Sequence, residues 1–470
     1  MQLDKSNFSE WFSQVVEQAD IIDIRYPVKG MPIYKGWGYA ALRACFNLLE
    51  EKLNASGHQQ MLFPLLIPED QFGKEAEHIA GFADEVMWAT HAGLERMERK
   101  LAVRPTSETV MYPMFALWIR SHADLPLRVH QTCCVYRYDT KTTRPLIRGR
   151  EIFWNEAHCV HASEEDAEKQ IREAFRIYSE FYAALGVPFL ALRRPEHDKF
   201  PGAAYSIALD VLMPDGKVLQ AATIHNLGEN FSRVYSIEFD DEKGGKHFAK
   251  QTTYGISMRC LAAVIAVHGD NKGLVLPPAI APVQAVIVPI LSAEKGKEAL
   301  EACRKIEDRL RRAGIRVALD EREVRPGEKF YHWEGRGVPV RIEVGPKDVA
   351  ASKAVVALRT GEKKSVPQEE IVEEVRKAFE TVLFELRKKA EAGLRARLST
   401  ARNTAELKKA IEKAGGFVKA GWCGEVDCAN AIQEATTAEV RGTEFGKPKE
   451  KSVCIHCGKE GFAAWFAKAY

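Results

Sequence analysis

One short segment of the sequence, residues 137–158, gathers the side chains best suited to chemistry on charged ligands. It holds four arginines, three carboxylates, a histidine and a tryptophan. Its apolar positions alternate with polar ones as they do in β-strands, which predicts a hairpin. Guanidinium groups bind phosphate oxygens in pairs, and carboxylates bind small cations. The combination suggests a site for ATP together with an amino acid.

The composition limits what kind of protein can carry this site. A chain of 470 residues has room for two or three domains. The 28% of charged residues and the net charge of +2 argue against disorder and against a strongly basic coat for nucleic acid. No apolar run reaches membrane-spanning length, and the first residues do not resemble a secretion signal. We therefore expect a cytoplasmic protein with no membrane partner and only local contact with nucleic acid.

Hydrophobic periodicity and turn signals divide the chain into three regions. Residues 1–275 mix helices, predicted at 37–54 and 164–185, with strands such as 60–67 and a hairpin turn at Pro214-Asp215-Gly216. After a proline-rich linker at 276–282, residues 283–378 alternate strand, helix and strand, which is typical of a parallel βαβ unit. Residues 379–470 begin with a basic stretch. Residues 387–413 hold nine basic and three acidic residues, which indicates either a solvated helix face or a contact with a phosphate backbone.

Five segments in order resemble the class II aminoacyl-tRNA synthetases, and among them the prolyl-tRNA synthetases of the archaeal and eukaryotic-like type. Residues 57–68 look like motif 1 of that class, residues 137–158 like motif 2, and Gly255-Ile256-Ser257-Met258-Arg259 like motif 3. Between them stand Arg104-Pro105-Thr106-Ser107-Glu108 and the segment 223–232. The resemblance extends over nearly the whole chain.

This resemblance implies a fold and an assembly. The expected catalytic domain, over residues 1–275, is an α+β domain built on an antiparallel sheet. An α/β anticodon-binding domain over 283–378 and a small α/β zinc-binding domain over 379–470 are expected to follow. Motif 1 forms the dimer interface in this class, so a homodimer is implied. Fewer than a hundred residues separate His158 from Gly255, which is too few for the editing insertion that some family members carry.

The implied reaction is the ATP-dependent attachment of L-proline to its tRNA through a prolyl-adenylate. The amino-acid carboxylate is already ionised at neutral pH, so its attack on the α-phosphate needs no protein nucleophile or general base. Catalysis then consists of positioning and of neutralising charge on phosphorus. By resemblance, Arg137 holds the α-phosphate and the amino-acid carboxylate, and Arg259 holds the far end of ATP.

The ATP pocket implied by the resemblance includes one departure from the family. Asp139 stands where the family usually carries glutamate, whose carboxylate meets the adenine amino group. Its side chain is one methylene shorter, so that contact is expected to be strained, shifted or bridged by water. Magnesium is expected on the phosphates, although the sequence offers no dedicated carboxylate cage. The implied ATP-binding residues are Arg137, Asp139, Arg148, Gly149, Glu151, Gln220, Thr223 and Arg259.

The implied proline pocket begins with Thr106 and Glu108. The ring nitrogen of proline has two donors, which one hydroxyl and one carboxylate can satisfy. Residues 154, 156 and 158 alternate along one predicted strand and so share a face, where Trp154 can pack on the pyrrolidine ring. The implied proline-binding residues are Thr106, Glu108, Arg137, Trp154, Glu156, His158, His225 and Ser257.

The resemblance also places two residues on the anticodon, whose last two bases in proline tRNAs are guanines. A carboxylate accepts from the guanine amino group, and an arginine binds two guanine acceptors. Glu334 and Arg341 are the implied contacts. An ion pair within the domain is the alternative for these two residues.

Four cysteines near the C-terminus have the spacing of two metal-binding knuckles. Four thiolates close a tetrahedral zinc site with no position left for water, which makes it structural. Buried thiols or a redox pair are the alternatives. The four are Cys423, Cys428, Cys454 and Cys457.

The last residue, Tyr470, resembles the C-terminal tyrosine of the family, whose carboxylate reaches toward the active site. A frayed tail is the alternative. For the chain as a whole, two other readings stay open: a nucleic-acid-binding relative without catalysis, and a synthetase for another amino acid such as threonine.

Overall fold

A computed structural model describes residues 3–72, 83–138, 142–290 and 296–470 of the chain. None of the helices in these ranges is long and apolar enough to cross a membrane. Four short 3₁₀ turns lie between the longer elements, at Ala83–Glu85, His122–Asp124, Glu196–Asp198 and Gln368–Glu370.

The described part of residues 3–268 forms an antiparallel α+β domain, the predicted fold class. Its helices are α1 (Phe8–Gln18), α2 (Gly36–Ala55), α3 (Glu69–Phe72), α4 (Glu108–Trp118), α5 (Glu164–Ala184), α6 (Asn230–Tyr235) and α7 (Arg259–His268). Its strands are β1 (Ile22–Asp23), β2 (Ile33–Tyr34), β3 (Gln59–Gln60), β4 (Leu66–Pro68), β5 (Met87–Ala92), β6 (Glu95–Val103), β7 (Leu127–Tyr136), β8 (Glu151–His161), β9 (Leu190–Arg193), β10 (Tyr205–Leu212), β11 (Val218–Gly228), β12 (Glu238–Asp240), β13 (Lys246–Phe248) and β14 (Lys250–Ser257).

The central sheet brings the motifs together. Its strands lie in the order β9, β10, β11, β14, β8, β7, and each is antiparallel to its neighbour. The motif 2 hairpin β7–β8 therefore lies beside β14, which ends where the motif 3 helix α7 begins. Helices α2, α5 and α7 bury their apolar faces in one core with the sheet. The sheet, packed on these helices, supports the loops and helix ends that carry the motifs.

Local sequence signals account for most of these elements. The Ser163 side chain accepts a hydrogen bond from the Asp166 amide and caps α5, and Gly186, at φ +66°, follows its end. The predicted helices at 37–54 and 164–185 are confirmed. The hairpin β10–β11 turns at Gly216, whose φ of +81° is left-handed, as the Pro-Asp-Gly sequence predicts.

The predicted strand at 60–67 is wrong over most of its length, because only its two ends pair. Between β3 and β4, the Met61 amide still donates to the His130 carbonyl of β7 and the Leu65 carbonyl accepts from the Arg104 amide, but residues 61–65 form no continuous ladder. The Phe63 amide donates to Gln131 Oε1 at 3.0 Å, and the Arg104 guanidinium donates to the Phe63 carbonyl at 2.9 Å. Pro64 has no amide hydrogen for a ladder, so the chain leaves the sheet here.

Residues 283–378 contain the predicted parallel βαβ unit. Strand β15 pairs in parallel with β16 and with β17, and two antiparallel strands extend the sheet in the order β16, β15, β17, β18, β19. The elements are β15 (Ala285–Pro289), α8 (Gly296–Arg312), β16 (Val317–Leu319), α9 (Pro326–Gly335), β17 (Val340–Val344), α10 (Pro346–Ala350), β18 (Lys353–Leu358), β19 (Lys363–Pro367) and α11 (Ile371–Arg395), which continues past residue 378.

The linker at 276–282 is packed between the first two regions. Leu276, Ile280 and Ala281 are fully buried, and the Leu276 amide donates to the Gly337 carbonyl at 3.1 Å. Arg359 also donates to both oxygens of Asp270, at 2.7 and 2.9 Å. The βαβ region is therefore held against the end of α7 by buried contacts.

The C-terminal region extends the catalytic sheet. Its elements are β20 (Leu398–Thr400), α12 (Thr404–Lys413), β21 (Phe417–Trp422), α13 (Val426–Thr436), β22 (Glu439–Glu444), β23 (Lys451–Val453) and β24 (Glu460–Ala467). Strand β22 pairs antiparallel with β9, so one twelve-stranded sheet runs through both regions. Sequence patterns within either region alone could not predict this pairing.

Candidate active site

A cavity of about 500 Å³ opens on the central sheet, between the motif 2 hairpin, the strands β10 and β11, and the start of α7. Residues predicted to bind ATP and residues predicted to bind proline line this one cavity. The predicted residues that line it are Thr106, Glu108, Arg137, Arg148, Gly149, Trp154, Glu156, Gln220, Thr223, His225, Ser257 and Arg259.

Two arginines from separate motifs share this cavity. Arg137 follows β7, and its Nε donates to the Pro105 carbonyl at 3.1 Å, while its guanidinium carbon lies 5.5 Å from the centre of the Trp154 ring. Arg259 is the first residue of α7 and donates to the carbonyls of Ile147 and Gln220, at 2.8 and 3.1 Å. Backbone carbonyls thus fix the orientation of both guanidinium groups. This is the convergence that the motif order predicted.

The positive charges of the site act on one another. Burial, with the like charges of Arg148 and Arg137, lowers the pKa of Arg259 to about 10. The group is still charged at neutral pH, but it is short of counter-charge. A polyanion in the cavity would relieve this repulsion.

Thr106 and Glu108 lie side by side at the start of α4. Both are buried, and the Thr106 hydroxyl donates to the Glu108 carboxylate. The charge of Glu108 also acts on Arg137, where it opposes the lowering of the pKa by burial. This pair therefore places one carboxylate in the cavity wall, where its charge acts on Arg137.

Glu156 is held by a dense set of donors. Its Oε1 accepts from the Ser107 hydroxyl and, at 2.9 Å, from the Gln131 amide, while its Oε2 accepts from His158 Nε2 at 3.1 Å. Burial opposes ionisation, but the hydrogen bonds and the charge of His158 outweigh it and lower the pKa of Glu156. Glu156 is an ionised carboxylate in the cavity wall.

His158 lies behind Glu156 and does not line the cavity. Its Nδ1 contacts the Tyr112 hydroxyl at 3.0 Å. Burial lowers its pKa, yet the hydrogen bond to Glu156 and the charges of Glu108 and Glu156 raise it by more. The residue thus supports Glu156 and sets its charge, and its predicted contact with proline stays a prediction.

Two predicted ATP-binding residues lie elsewhere or outside the described ranges. The Glu151 carboxylate accepts from the Tyr136 hydroxyl at 2.7 Å and is not part of the cavity wall. Asp139 lies outside the described residues, so its contact with adenine stays a prediction.

The wall also contains residues that the sequence patterns did not single out. Arg194, Phe200 and Ser206 line the cavity. The Phe200 ring lies 4.8 Å from that of His225, and Ser206 Oγ is 2.7 Å from His225 Nδ1. These residues come from β10 and the loop before it, where no motif or regular spacing marks them, and only the sheet pairing brings them to the site.

The C-terminal tail is docked rather than frayed. The Tyr470 hydroxyl donates to Asp215 at 2.7 Å, and its amide donates to the Val218 carbonyl at 3.2 Å. The tail therefore lies on the β10–β11 hairpin, two residues along the strand from Gln220. The reach of its carboxylate into the cavity stays a prediction.

The two predicted anticodon residues have separate partners. Glu334, near the end of α9, accepts from Lys272 Nζ at 2.9 Å. Arg341 in β17 donates to Glu343 at 3.0 Å and stacks over the Phe330 ring at 3.9 Å. Arg341 thus has an ion-pair partner within its own domain, whereas the partner of Glu334 belongs to the catalytic region, and the contacts of both residues with the anticodon stay predictions.

The four C-terminal cysteines converge as their spacing predicts. Their sulfur atoms all lie within 4.8 Å of one another, and those of Cys423 and Cys457 are 3.8 Å apart. A tetrahedron with zinc–sulfur bonds of about 2.3 Å has edges of about 3.8 Å, so the residues fit this ion. Burial raises the pKa of Cys454, but backbone amides of Cys457, His456 and Cys423 lower it to about 7. Zinc would supply a closed structural cross-link between the two knuckles.

Removal of one ligand tests the metal site. We expect the purified chain to hold zinc, and Cys454→Ser to weaken its zinc affinity by at least about 100-fold, because a structural zinc site needs all four thiolates. Metal content by mass spectrometry and the thermal midpoint with and without chelator measure this. Cys303→Ser, at a buried thiol of another core, is the matched control. Protein that is free of metal and indifferent to chelator would contradict the site.

Comparison with known proteins agrees with this geometry. A family model for the class II tRNA synthetase core domain (G, H, P, S and T) matches residues 90–268, and one for an anticodon binding domain matches residues 284–378. The fold and the site define a class II aminoacyl-tRNA synthetase. A third model, for the C-terminal region of prolyl-tRNA synthetase, matches residues 404–470.

Relatives that match over nearly their whole length identify the family within this class. The proline–tRNA ligase of Pyrococcus abyssi is 50% identical over 99% of this chain and 98% of its own. That of Thermococcus kodakarensis is 48% identical with the same coverage. The solved structure of Giardia lamblia prolyl-tRNA synthetase in complex with prolyl-adenylate matches with a TM-score of 0.96 and 36% identity, over 100% of this chain and 99% of that one. The chain belongs to the prolyl-tRNA synthetase family.

Proposed function

We propose which cavity residues bind ATP and which bind proline in the reaction that family membership assigns to the chain. The chain is a proline–tRNA ligase, which uses ATP to attach L-proline to its tRNA through a prolyl-adenylate. The observation that supports these roles is that Arg137, Arg259 and the Thr106–Glu108 pair line one cavity.

Arg137 is proposed to hold the two reacting groups together. Its guanidinium lies near the Trp154 ring and feels the charge of Glu108, and from this place in the cavity it can reach both the proline carboxylate and the α-phosphate. Arg259 is proposed to bind the outer phosphates, with Arg148 beside it. Charge neutralisation by fixed donors stabilises the transition state without reorganisation.

Thr106 and Glu108 are proposed to bind the ring nitrogen of proline. The Thr106 hydroxyl already donates its hydrogen to Glu108, so its oxygen remains able to accept from one N–H of the ligand. Glu108 accepts from the other. Trp154 would pack on the apolar part of the ring, and Glu156, with Ser257 and His225, completes the wall.

We expect magnesium to arrive with ATP rather than to occupy a site of its own. Of the described residues, only the four cysteines form a cluster suited to a metal ion. Glu85 and Asp198, which also line the cavity, could accept hydrogen bonds from water bound to such an ion. The ion would supply further positive charge to the phosphates.

Loss of the Glu108 charge tests the proposed amino-acid site. We expect Glu108→Gln to lower kcat/KM for proline by about 10- to 100-fold, because a hydrogen bond to a charged group is worth about 1.5–3 kcal/mol. Proline-dependent exchange of pyrophosphate into ATP measures this, with alanine, cysteine and threonine as competitors.

Thr106→Ser is the control for this variant, since it keeps the hydroxyl and should retain most of the activity. If Glu108→Gln left kcat/KM for proline unchanged, or if threonine supported faster exchange than proline, the proposed pocket would be wrong.

We also propose that Glu334 reads a guanine of the anticodon. Its side chain is about one quarter exposed and can turn from Lys272 to a base. Glu334→Ala should relax discrimination against tRNA with a substituted guanine by about 10- to 100-fold, the value of one base contact. Charging rates of wild-type and anticodon-mutant tRNA measure it.

Lys272→Met separates base reading from the ion pair, because it removes the same pair but leaves Glu334 in place. Equal loss of discrimination in both variants would show that the ion pair matters and that Glu334 does not read the base.

We further propose that the enzyme is a homodimer joined through residues 57–68. Leu62, Leu65 and Leu66 are exposed in the single chain, the first of them by 81%, and such apolar surface is usually covered. Sedimentation should give twice the 52.7 kDa of one chain, and Leu62→Asp should shift it toward the monomer. Phe384→Asp, at another exposed apolar residue, should not. A wild-type monomer at micromolar concentration would contradict the proposal.

A further inference from the structure

A buried carboxylate joins the C-terminal region to the wall of the cavity. Asp210 in β10 is fully buried. Arg194 NH2 donates to its Oδ1 at 2.8 Å, and Arg441 Nε, from β22, donates to its Oδ2 at 2.8 Å. A second bond runs from Arg441 NH2 to Oδ1 at 3.2 Å. Burial of one anion between two cations is stable only when all three are held in this geometry.

Arg194 links Asp210 to the active site through hydrogen bonds. Its NH1 donates to the Arg441 carbonyl at 2.9 Å, and its NH2 donates to Gln220 Oε1 at 2.8 Å. Arg194 and Gln220 both line the cavity. The Gln220 carbonyl also accepts from Arg259 NH1 at 3.1 Å. Continuous contacts thus run from β22 through Asp210 and Arg194 to Gln220 and Arg259.

The backbone of β22 is shaped to bring Arg441 to Asp210. Gly442 has a φ of +117°, and a Cβ at this position would lie 2.0 Å from the Arg193 carbonyl oxygen. The pairing of β22 with β24 shifts register between Val440 and Gly442. Such a bulge redirects the neighbouring side chain, here Arg441, into the catalytic region.

The contact with Arg194 also determines what Gln220 offers to a ligand. Because its Oε1 accepts from Arg194, the amide nitrogen with its two hydrogens is left for other partners. A donor at this place suits the oxygens of ATP. Without Arg194, the amide could turn and present its oxygen to them instead.

We propose that Arg441 is a positioning residue for ATP: it holds Asp210 and Arg194 so that Gln220 presents its amide nitrogen and Arg259 its guanidinium. The C-terminal region thereby forms part of the support of the ATP site. This inference rests on the proposed placement of ATP at Gln220 and Arg259.

Substitution of Arg441 tests the inference in the full-length protein. Arg441→Met should raise the KM for ATP about ten-fold in pyrophosphate exchange, the effect of about 1.4 kcal/mol, and change the KM for proline by less than about two-fold. Arg441→Lys keeps the charge and the long stem but loses the paired bonds, so it should raise the KM for ATP about three-fold. Because Arg441 acts through Gln220, adding Gln220→Leu to Arg441→Met should cause little further change.

Lys419→Met is the matched control, since it removes another cation of the C-terminal region, one paired with Glu450, and should leave both KM values unchanged. If Arg441→Met fails to fold, Arg441→Lys decides. A lower thermal midpoint with an unchanged KM for ATP would show a merely structural role and overturn the inference, provided that Gln220→Leu still raises that KM. If Gln220→Leu leaves the KM for ATP unchanged, the placement of ATP itself is wrong.

Discussion

The burial of several guanidinium groups in one cavity is the interaction on which the rest of the structure depends. Like charges held close together in a poorly solvated place repel, and removal from water adds a further cost. The fold offsets this cost with fixed acceptors. Carbonyls of Pro105, Ile147 and Gln220 hold Arg137 and Arg259, and the buried carboxylates of Glu108 and Glu156 line the same cavity. A triphosphate bound there, as proposed, would complete the balance of charge.

Fixed acceptors require a fixed backbone, and the antiparallel sheet supplies it. Arg137 follows one strand, Gln220 lies on another, and Arg259 begins the helix that leaves a third. A shift of one residue in any register would turn these side chains to the opposite face. The apolar helices packed beneath the sheet therefore contribute to catalysis indirectly, because they hold the strands in register.

The domains outside the cavity are joined to it by polar contacts as well as by chain connectivity. The βαβ region is tied to the end of α7 by Arg359 and Asp270, and the C-terminal region adds its strands to the catalytic sheet. Asp270 lies two residues after α7, which begins at the cavity residue Arg259, and β9 is followed directly by the cavity residue Arg194. The three regions are therefore joined by direct contacts into one structure.

The sequence by itself determined the elements and the chemistry that depend on short segments. Helical and strand periodicity, the capping of α5, the hairpin at Gly216 and the spacing of the cysteines are local signals, and the ordered motifs named many of the residues that line the cavity. Tertiary structure alone decided that His158 stands behind Glu156 and that Arg194 lines the wall. It also decided that Arg441, more than two hundred residues away along the chain, meets Asp210. Such contacts arise from strand order and packing, which depend on interactions between distant residues that no local pattern records.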